Sequence, residues 1–416
     1  MAVQRYLGLA EETSYNMGSP PAAVVHLDIA SASLDTPSDP NLIYGGGLQR
    51  SATLQRPGFY APSGNIMYAF DVNSVIYLLK WGLGAYVFTS EGGTGTLNLH
   101  EFYGSANNVL DSFCARVGKD YFEHVFSGCV INSLELQVEG EFCNLTADIV
   151  AAKDSKAAIQ AIADLSLPDA YPLAFHEVTA TIGGSSVSAK VKTLNLSISN
   201  NMDAESGRGL GSRHPYRVIG GERETEISME LFFEDSSVLE DFWGGATGPA
   251  ATGVTEKAIV LSFDNGEHGS MTITLPKVAY SEVQQQPSSR DEIVQSVTGR
   301  CLMSTITLAD ASEVESEIGV SVENDIGVVG AYPANISGTV SYDDGGLQPL
   351  IGVVVTADTG QTDTTDAQGD YTLENVPSGT RQLTFTKTGY TTDTLDDVVL
   401  SPNVDLIDQD ITLVAE

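Results

Sequence analysis

The chain has 416 residues, 42% of them hydrophobic, so it is long enough for two or three domains with substantial cores. Its 55 acidic residues outnumber the 20 basic ones and give a formal charge of −35, which disfavours a protein that grips DNA or RNA. No apolar run approaches membrane-spanning length, and the first residues lack the apolar core of a secretory signal, so we expect cytoplasmic synthesis and no membrane partner.

The acidity is dispersed along a patterned chain, unlike the charge block of a disordered tail. Two interpretations stay open. One is a general halophilic adaptation, in which salt screens self-repulsion and hydrated carboxylates keep the surface soluble. The other is a local role in repelling a polyanion. The two interpretations are compatible with each other.

The first 65 residues contain glycine and proline breakers and few periodic apolar positions, so they predict an extended arm over the core or on a neighbouring subunit. Capping signals predict two short helices in the first half of the chain and a brief third one at Ser236–Trp243, before a glycine stop. Of the first two, one spans about 71–82. The other spans 154–165, where Asp154 or Ser155 provides the cap and the sequence carries one apolar stripe.

Two antiparallel ribbons form the centre of the predicted fold. The first pairs residues 131–140 with 141–151, and the second pairs 191–200 with 222–233. Each arm alternates apolar and polar side chains with period two, which indicates a sheet with one packed face and one solvated face. The solvated face is rich in acids, hydroxyls and amides: Glu135, Glu139, Asp148, Asn195, Ser197, Glu224, Glu226 and Glu230.

Changes in composition and in the spacing of predicted strands divide the chain into domains. Residues 1–310 form one predicted domain, residues 311–334 are polar and acidic and predict a linker, and residues 335–416 show short strands at even spacing. That spacing predicts a small β-sandwich. The fold class is therefore mainly β, with short helices and a C-terminal sandwich.

Both parts resemble known families. Residues 335–415 resemble the carboxypeptidase-regulatory-like (Ig-like) module through Ile336-Ser-Gly-Thr-Val, Thr365-Asp-Ala-Gln-Gly-Asp-Tyr-Thr-Leu, Val376-Pro-Ser-Gly-Thr and Lys387-Thr-Gly-Tyr. Residues 1–310 resemble the tail tube (major tail) protein of long-tailed viruses of prokaryotes. That second likeness rests on residues 8–13, on the strand and helix between 64 and 84, on both ribbons, and most of all on residues 216–231.

The tail tube resemblance implies a virion protein that polymerises as stacked hexameric rings, with four strands per copy in a barrel of about 24 strands. At about 4.8 Å between strands and a tilt of about 40°, its backbone radius is roughly 25 Å, enough for duplex DNA to pass. The polar faces of the ribbons would line this lumen and make it electronegative. The alternative is an ordinary solvated face of a monomer. Further implied partners are tail completion, terminator, tape-measure and baseplate proteins.

A long glycine-rich excursion, residues 201–221, separates the arms of the second ribbon. It is longer than a hairpin turn and carries Arg208, Arg213, His214 and Arg217. A basic loop in so acidic a chain is expected to dock on acid from another copy. We hypothesise that the loop stacks one ring on the next, against the alternative of a mobile loop.

No catalytic, metal or cofactor site is predicted. The six histidines and four cysteines lack metal spacing, and neither a phosphate-binding loop nor a nucleophile elbow is present. Two rivals to the structural role remain open. One is a cell-surface or adhesin-type binding protein, and the other is a glycan-active enzyme with an accessory module. Four aspartates near the C-terminus do not have the spacing of an EF-hand loop, but cation binding there stays an open alternative. They are Asp358, Asp363, Asp366 and Asp370.

Overall fold

The computed structural model describes residues 5–12, 14–16, 18, 20–36, 41–44, 51–89, 97–167, 171–251, 253–285, 293–327, 329, 333–343, 345–358, 361–377, 379–400 and 406–415. The chain divides into two compact units, Met1–Ile326 and Gly327–Glu416. Both are built mainly of strands, as the alternation of the sequence predicts. Among these residues, none of the helices has the length and apolar character needed to cross a membrane.

The first half of unit one places one short helix among many strands. The Asp71 carboxylate starts the helix by accepting the backbone N–H groups of Asn73 and Ser74 at 2.8 and 2.9 Å, and Gly84 ends it with a φ of 79°. The elements are β1 (Leu7–Glu11), β2 (Val25–Leu27), β3 (Ser31–Ala32), β4 (Asn41–Tyr44), β5 (Ala52–Arg56), β6 (Ser63–Ala69), α1 (Val75–Leu83), β7 (Gly84–Thr89), β8 (Asn98–Gly104), β9 (Phe113–Gly118), β10 (Glu123–Val138), β11 (Cys143–Val150) and β12 (Lys153–Ala157).

The second half of unit one contains the second ribbon and the strands that flank it. Single 3-10 turns occur at Ile162–Asp164, Phe175–Glu177, Ser188–Lys190 and Gly266–His268. The longer elements are β13 (Val178–Ile182), β14 (Ser185–Ser186), β15 (Val191–Ser199), β16 (Met202–Asp203), β17 (Ile219–Gly220), β18 (Glu224–Phe232), α2 (Ser237–Trp243), β19 (Lys257–Asp264), β20 (Ser270–Gln284), β21 (Val294–Cys301), β22 (Ser304–Thr307), β23 (Glu313–Ser316) and β24 (Gly319–Asn324).

Both predicted ribbons are confirmed, and they lie side by side because β10 also pairs with β15. We call the antiparallel set β6–β11–β10–β15–β18–β21 the central sheet. The long strand β20 pairs with β21 at one end and with β19 and β24 at the other. The pairings within the described ranges form an open, branched path, so one subunit does not close its sheet into a barrel.

The central sheet contains more strands than the four that the two ribbons supply. The resemblance implies four strands per copy, but β6 pairs along the outer edge of β11 and β21 pairs along the outer edge of β18. Both flanking strands alternate buried and exposed positions like the ribbons. The polar face therefore extends over six strands, and any sheet edge offered to a neighbouring copy lies beyond β6 and β21.

The apolar face of the central sheet packs on helix α1 and on strands β13 and β19. Leu134 and Ile198 are almost fully buried on this face. Helix α1 comes so close that a Cβ on Gly82 would lie 2.3 Å from Cδ1 of Leu134, so any larger residue there would force the Leu134 side chain to shift. Phe70, which follows β6, meets Phe263 of β19 edge to face, with ring centroids 6.0 Å apart.

The predicted helix at 154–165 is wrong. Residues 153–157 form β12 and pair with β10, and only Ile162–Asp164 makes a 3-10 turn. The Asp154 carboxylate accepts hydrogen bonds from the side chains of Thr36, Tyr60 and His124, the last at 2.8 Å, instead of capping a helix. Tertiary pairing thus overrides the local helix propensity of the segment.

Residues 1–65, predicted as an extended arm over the core or on a neighbouring subunit, pack on their own chain in several places. Strand β1 pairs with β2 and β9, and Leu7 and Leu9 are fully buried. The Arg116 guanidinium donates to the carbonyl oxygens of Pro20 and Pro21 at 3.2 and 2.6 Å. The β4–β5 hairpin pairs only with itself among the described residues. The breakers at 37–40 and 45–47 lie outside the described residues.

The linker predicted at 311–334 begins too early. Residues 313–316 form β23, which pairs with β22, while β24 lies between β8 and β20. Val320 and Val322 of β24 are buried in the first unit. The alternation of apolar residues in this strand outweighs the acidic average composition on which the linker prediction relied.

Unit two has two four-stranded sheets around one core. Its strands are β25 (Pro333–Asp343), β26 (Leu347–Pro349), β27 (Val354–Ala357), β28 (Thr362–Thr364), β29 (Asp370–Pro377), β30 (Gly379–Thr386), β31 (Asp393–Leu400) and β32 (Ile411–Leu413). One sheet contains β26, β25, β29 and β32, and the other contains β28, β27, β30 and β31. Tyr371 and Phe385 pack edge to face in the shared core.

Candidate functional site

The candidate site is the solvated face of the central sheet. Strand pairing brings the predicted polar residues into rows across the strands. Glu135 of β10 lies opposite Ser197 of β15, which in turn lies opposite Glu226 of β18. In the neighbouring row Ser133 lies between Asp148 and Ser199, and Ser199 lies opposite Glu224. The alternation predicted from sequence therefore places these side chains on one face.

The remaining predicted face residues lie towards one end of the sheet. Asn195 lies opposite Gln137 and Ser228, and Glu230 lies opposite Thr193. Glu139 follows the last pair of the first ribbon and is exposed in the turn that Gly140 makes with a φ of 78°. The structure thus brings seven of the eight predicted residues onto the strands and places Glu139 in the turn beside them.

Hydrogen bonds hold several of these carboxylates in place. The Asn195 side-chain amide donates to Oε1 of Glu135 at 2.5 Å, and the Asn132 amide donates to Oδ2 of Asp148 at 2.7 Å. These contacts come from neutral partners, so they fix the carboxylates without removing their charge. The face therefore keeps a negative potential.

One cation on this face was not predicted. Arg300 of β21 lies opposite Glu226, and its guanidinium lies 2.9 Å from Oε1 of Glu224. Both side chains are about half exposed, so the ion pair contributes little to stability but lowers the local negative charge. The alternation of residues 294–301 is a sequence signal for this strand, but alternation alone does not place the strand beside β18. Glu282 of β20 extends the same face by one more strand.

The loop of residues 201–221 is anchored at its base. Strands β16 and β17 pair there, and Oδ1 of Asn132 accepts the backbone N–H of Met202 at 2.8 Å. Gly207 is buried where the two sides of the loop approach, and a Cβ at this position would lie 1.8 Å from the carbonyl oxygen of Arg217. These contacts fix the base of the loop on the rest of the subunit.

Three of the four predicted stacking residues contact their own chain. Arg208 lies over the Phe59 ring at 4.2 Å and pairs with Glu205 at 2.7 Å. Arg213 lies over the Tyr60 ring and donates to the carbonyl oxygen of Gly58 at 3.0 Å. Nδ1 of His214 lies 3.0 Å from the carbonyl oxygen of Ala152, and Arg217 is exposed.

These contacts dock the loop on the end of the sheet where β6 begins and β11 ends. Burial, together with the hydrogen bond to Asp154, raises the pKa of Tyr60 to about 12, so this phenol stays a donor. Two apolar loop residues that the sequence interpretation missed are exposed instead: Leu210 at 109% and Tyr216 at 79% relative accessibility. Their signal was an apolar and an aromatic residue inside a basic, glycine-rich loop.

Within the described residues, no group of three or more His, Cys, Asp or Glu side chains is arranged to hold a metal ion. Cys114, Cys129, Cys143 and Cys301 are all buried and unpaired with one another. Burial raises the pKa of the Cys143 and Cys301 thiols to about 12, so they stay protonated and unreactive at neutral pH. The solvated face offers carboxylates, amides and hydroxyls without an activated nucleophile among them.

The likeness of the chain to solved structures is weak. Two crystal structures of mutant type II cohesin–X-dockerin complexes from Acetivibrio cellulolyticus match with 22% identity and a TM-score of 0.18. The match covers 20% of this chain and 58% of each of theirs, so the chain spans less than two thirds of the length of these structures. No curated protein matches the chain.

Family models match both units. A carboxypeptidase regulatory-like domain matches residues 335–414, which cover the strands of unit two. The phage tail tube protein model matches residues 3–301, which include both ribbons, the loop and the flanking strand β21. This second match covers most of the chain and agrees with the resemblance found in the sequence. The chain belongs to the phage tail tube protein family and is a structural protein of a phage tail.

Proposed function

We propose that the protein polymerises as stacked hexameric rings into the tail tube and that the solvated face of its central sheet lines the channel for the genome. The observation that carries this proposal is the gathering of Glu135, Asp148, Glu224, Glu226 and Glu230 on one face of a sheet whose other face is packed. An ordinary soluble domain has no need of one continuous carboxylate face, whereas a conduit for a polyanion does.

The mechanism is electrostatic. Phosphates that pass a wall of fixed carboxylates find few cations to bind, so DNA is repelled from the wall and slides. Arg300 is the exception on this face, and its pairing with Glu224 keeps it from acting as an isolated anchor. The total charge of −35 also fits a virion that works in high salt, where self-repulsion is screened.

Ring closure would use the edges beyond the central sheet. Four strands per subunit in a hexamer give a backbone radius of roughly 25 Å, and six per subunit would widen it by about half. In either case duplex DNA passes. Neighbouring copies would meet through the β6 side of one sheet and the β20–β21 side of the next, which removes unpaired edges that favour aggregation.

We further propose that the loop of residues 201–221 joins successive rings. Such a protein would be assembled in the host cytoplasm with tail completion, terminator, tape-measure and baseplate proteins, and it would act without membrane insertion or catalysis. Nothing among the described residues favours the adhesin or the glycan-active enzyme over this role.

Deletion of residues 206–212 tests the loop. Negative-stain microscopy of the purified wild type in high salt should show tubes, and the deletion variant should give isolated rings or smaller species. Circular dichroism and thermal melting check that the shortened loop leaves the fold intact. Tubes of normal length from the deletion variant would contradict the role of the loop.

Charge reversal on the face tests the channel. The double substitution Glu224→Lys and Glu226→Lys should leave tubes intact but slow DNA ejection from assembled virions, because lysines offer phosphates a binding site. Glu374→Lys, at an exposed strand carboxylate of unit two, is the control for a single charge reversal elsewhere in the chain. Ejection at the wild-type rate from tubes that carry both lysines would contradict a channel wall at these positions.

A further inference from the structure

The two ends of the central sheet carry different surfaces. Strands β10, β15 and β18 run antiparallel in register, so Ser133, Ser199 and Glu224 share one end, while Val191 and Leu231 lie at the other. The loop of residues 201–221 therefore emerges at the first end. The turn after β10 and the end of β18 lie at the second, roughly 27 Å away at the rise of a β-strand.

The tip of the loop, residues 206–218, is basic and partly apolar. It contains Arg208, Arg213 and Arg217 and no acid, although acidic residues outnumber basic ones in the whole chain. Stacking on Phe59 and Tyr60 holds two of the guanidinium groups in place while Arg208 stays 53% exposed. Leu210 and Tyr216 project fully from the same tip. Arginine and tyrosine held in a fixed arrangement are the residues that dominate protein interfaces.

The opposite end is acidic and also exposes apolar groups. We call it the acidic rim: Glu139, Glu141, Phe142, Phe233, Glu234 and Asp235. The rings of Phe142 and Phe233 are 49% and 38% exposed. Lys190 lies 3.2 Å from Glu234 and 2.9 Å from Asp235, so it offsets only part of the negative charge. The Ser237 hydroxyl and Lys190 lower the pKa of Asp235 to about 2, which keeps it ionised.

The tip and the rim complement each other in charge and in apolar character, and a single subunit holds them at opposite ends of its sheet. We propose that the loop tip of one copy docks on the acidic rim of a second copy in the adjacent ring, with Tyr216 and Leu210 packed against Phe142 and Phe233. This inference rests on the proposed tube. A contact between two different surfaces is head-to-tail, and because the tip and the rim lie at opposite ends of the sheet, repeating it along one direction generates a filament and not a closed pair.

The proposed docking gives a reason why Arg208 and Arg213 of the loop contact aromatic rings of their own chain. Arginines that already lie over aromatic rings lose little conformational freedom on docking, so more of the contact energy becomes affinity. The apolar side chains at the tip would supply most of the buried area, and the charges would set the polarity of stacking and disfavour tip-to-tip or rim-to-rim contacts.

A charge swap tests the pairing. The loop variant carries Arg208→Glu and Arg217→Glu, and the rim variant carries Glu141→Arg and Glu234→Arg. Each alone should raise the critical concentration for tube growth at least about tenfold, as measured by sedimentation, and the combined variant should restore growth. Glu374→Arg in unit two gains two of the four positive charges that the rim variant gains, and it controls for that part of the change in total charge. Thermal melting confirms that each variant is folded.

Cysteine crosslinking gives a second readout. The four native cysteines are buried, so Tyr216→Cys and Phe142→Cys introduce the exposed thiols. Under oxidation the double variant should give a ladder of covalent multimers, while a mixture of the two single variants should stop at dimers. Wild-type tubes with neither charge rescue nor crosslinks would overturn this pairing and leave the proposed function standing. A wild type that forms no tubes would overturn both.

Discussion

The two units of the chain use their strands differently. Unit two encloses one core between two four-stranded sheets, with Phe385 and Leu373 fully buried. Unit one instead leaves one face of its central sheet lined with carboxylates and presents a basic loop with Leu210 and Tyr216 exposed. The first pattern is complete in a single molecule, whereas the second leaves surfaces that suit contacts with other molecules. We therefore propose that the contacts of assembly belong to unit one.

The largest expected effect comes from removing a buried ring, and it tests whether the two units differ in their part in assembly. Phe385→Ala should destabilise unit two by about 3–5 kcal/mol because it removes a fully buried ring. Calorimetry of the full chain should show one lowered transition, and microscopy should show normal tubes. Phe263→Ala, an equally buried ring of unit one, is the matched control and should lower the other transition and reduce assembly. Loss of tubes in Phe385→Ala alone would show that unit two takes part in assembly.

The next effect concerns pH and the interior of unit one. His100 is fully buried; its Nδ1 accepts the Tyr86 hydroxyl at 2.9 Å, and its Nε2–H donates to the carbonyl oxygen of Ile326 at 3.0 Å. Burial lowers the pKa of His100 to about 4, from an ordinary value of 6.5. Between these values the unfolded chain binds the proton and the folded chain does not.

Stability should therefore fall as the pH drops from about 6.5 to about 4, by about 3 kcal/mol from this residue. Urea unfolding of unit one at a series of pH values measures this loss of the free energy of unfolding. His100→Gln removes the titration and should flatten the curve in this window, although its stability at pH 7 will be lower. An unchanged slope in the variant would contradict a neutral, buried His100.

The smallest effect concerns the solvated face itself. Glu226 is exposed, so Glu226→Gln should change the free energy of unfolding of the subunit by no more than about 0.5 kcal/mol. Ile227→Ala, on the next residue and the buried face, should cost about 2–5 kcal/mol. Denaturant titration compares the two. A large loss in Glu226→Gln would mean that the carboxylate serves the fold of the subunit.

The sequence predicts the central sheet well because its signal is local. Alternation with period two in residues 133–138 and 194–199 decides which side chains share a face, and the turn at Gly140 decides the register. Another local signal, the turn sequence Asp264-Asn-Gly, lies where the hairpin joins β19 to β20. The family resemblance adds the larger context that periodicity cannot supply.

The failures come from long-range contacts. Residues 153–157 look helical, but β10 pairs with them and the partly buried Asp154 accepts hydrogen bonds from Tyr60 and His124. Leu7 and Leu9 lie in a stretch with too few apolar positions to fold alone, yet β9 provides a neighbour. In the loop, the aromatic partners of Arg208 and Arg213 lie about 150 residues earlier in the chain, beyond any local pattern.

Cryo-electron microscopy of tubes assembled from the full chain tests the central claim most directly, because it shows which face of the central sheet borders the channel. We expect a channel lined by the rows that contain Glu135, Glu224 and Glu226, with the packed face and α1 directed away from the axis. Density that placed these carboxylates on the outer wall, or a subunit that formed no channel at all, would contradict it.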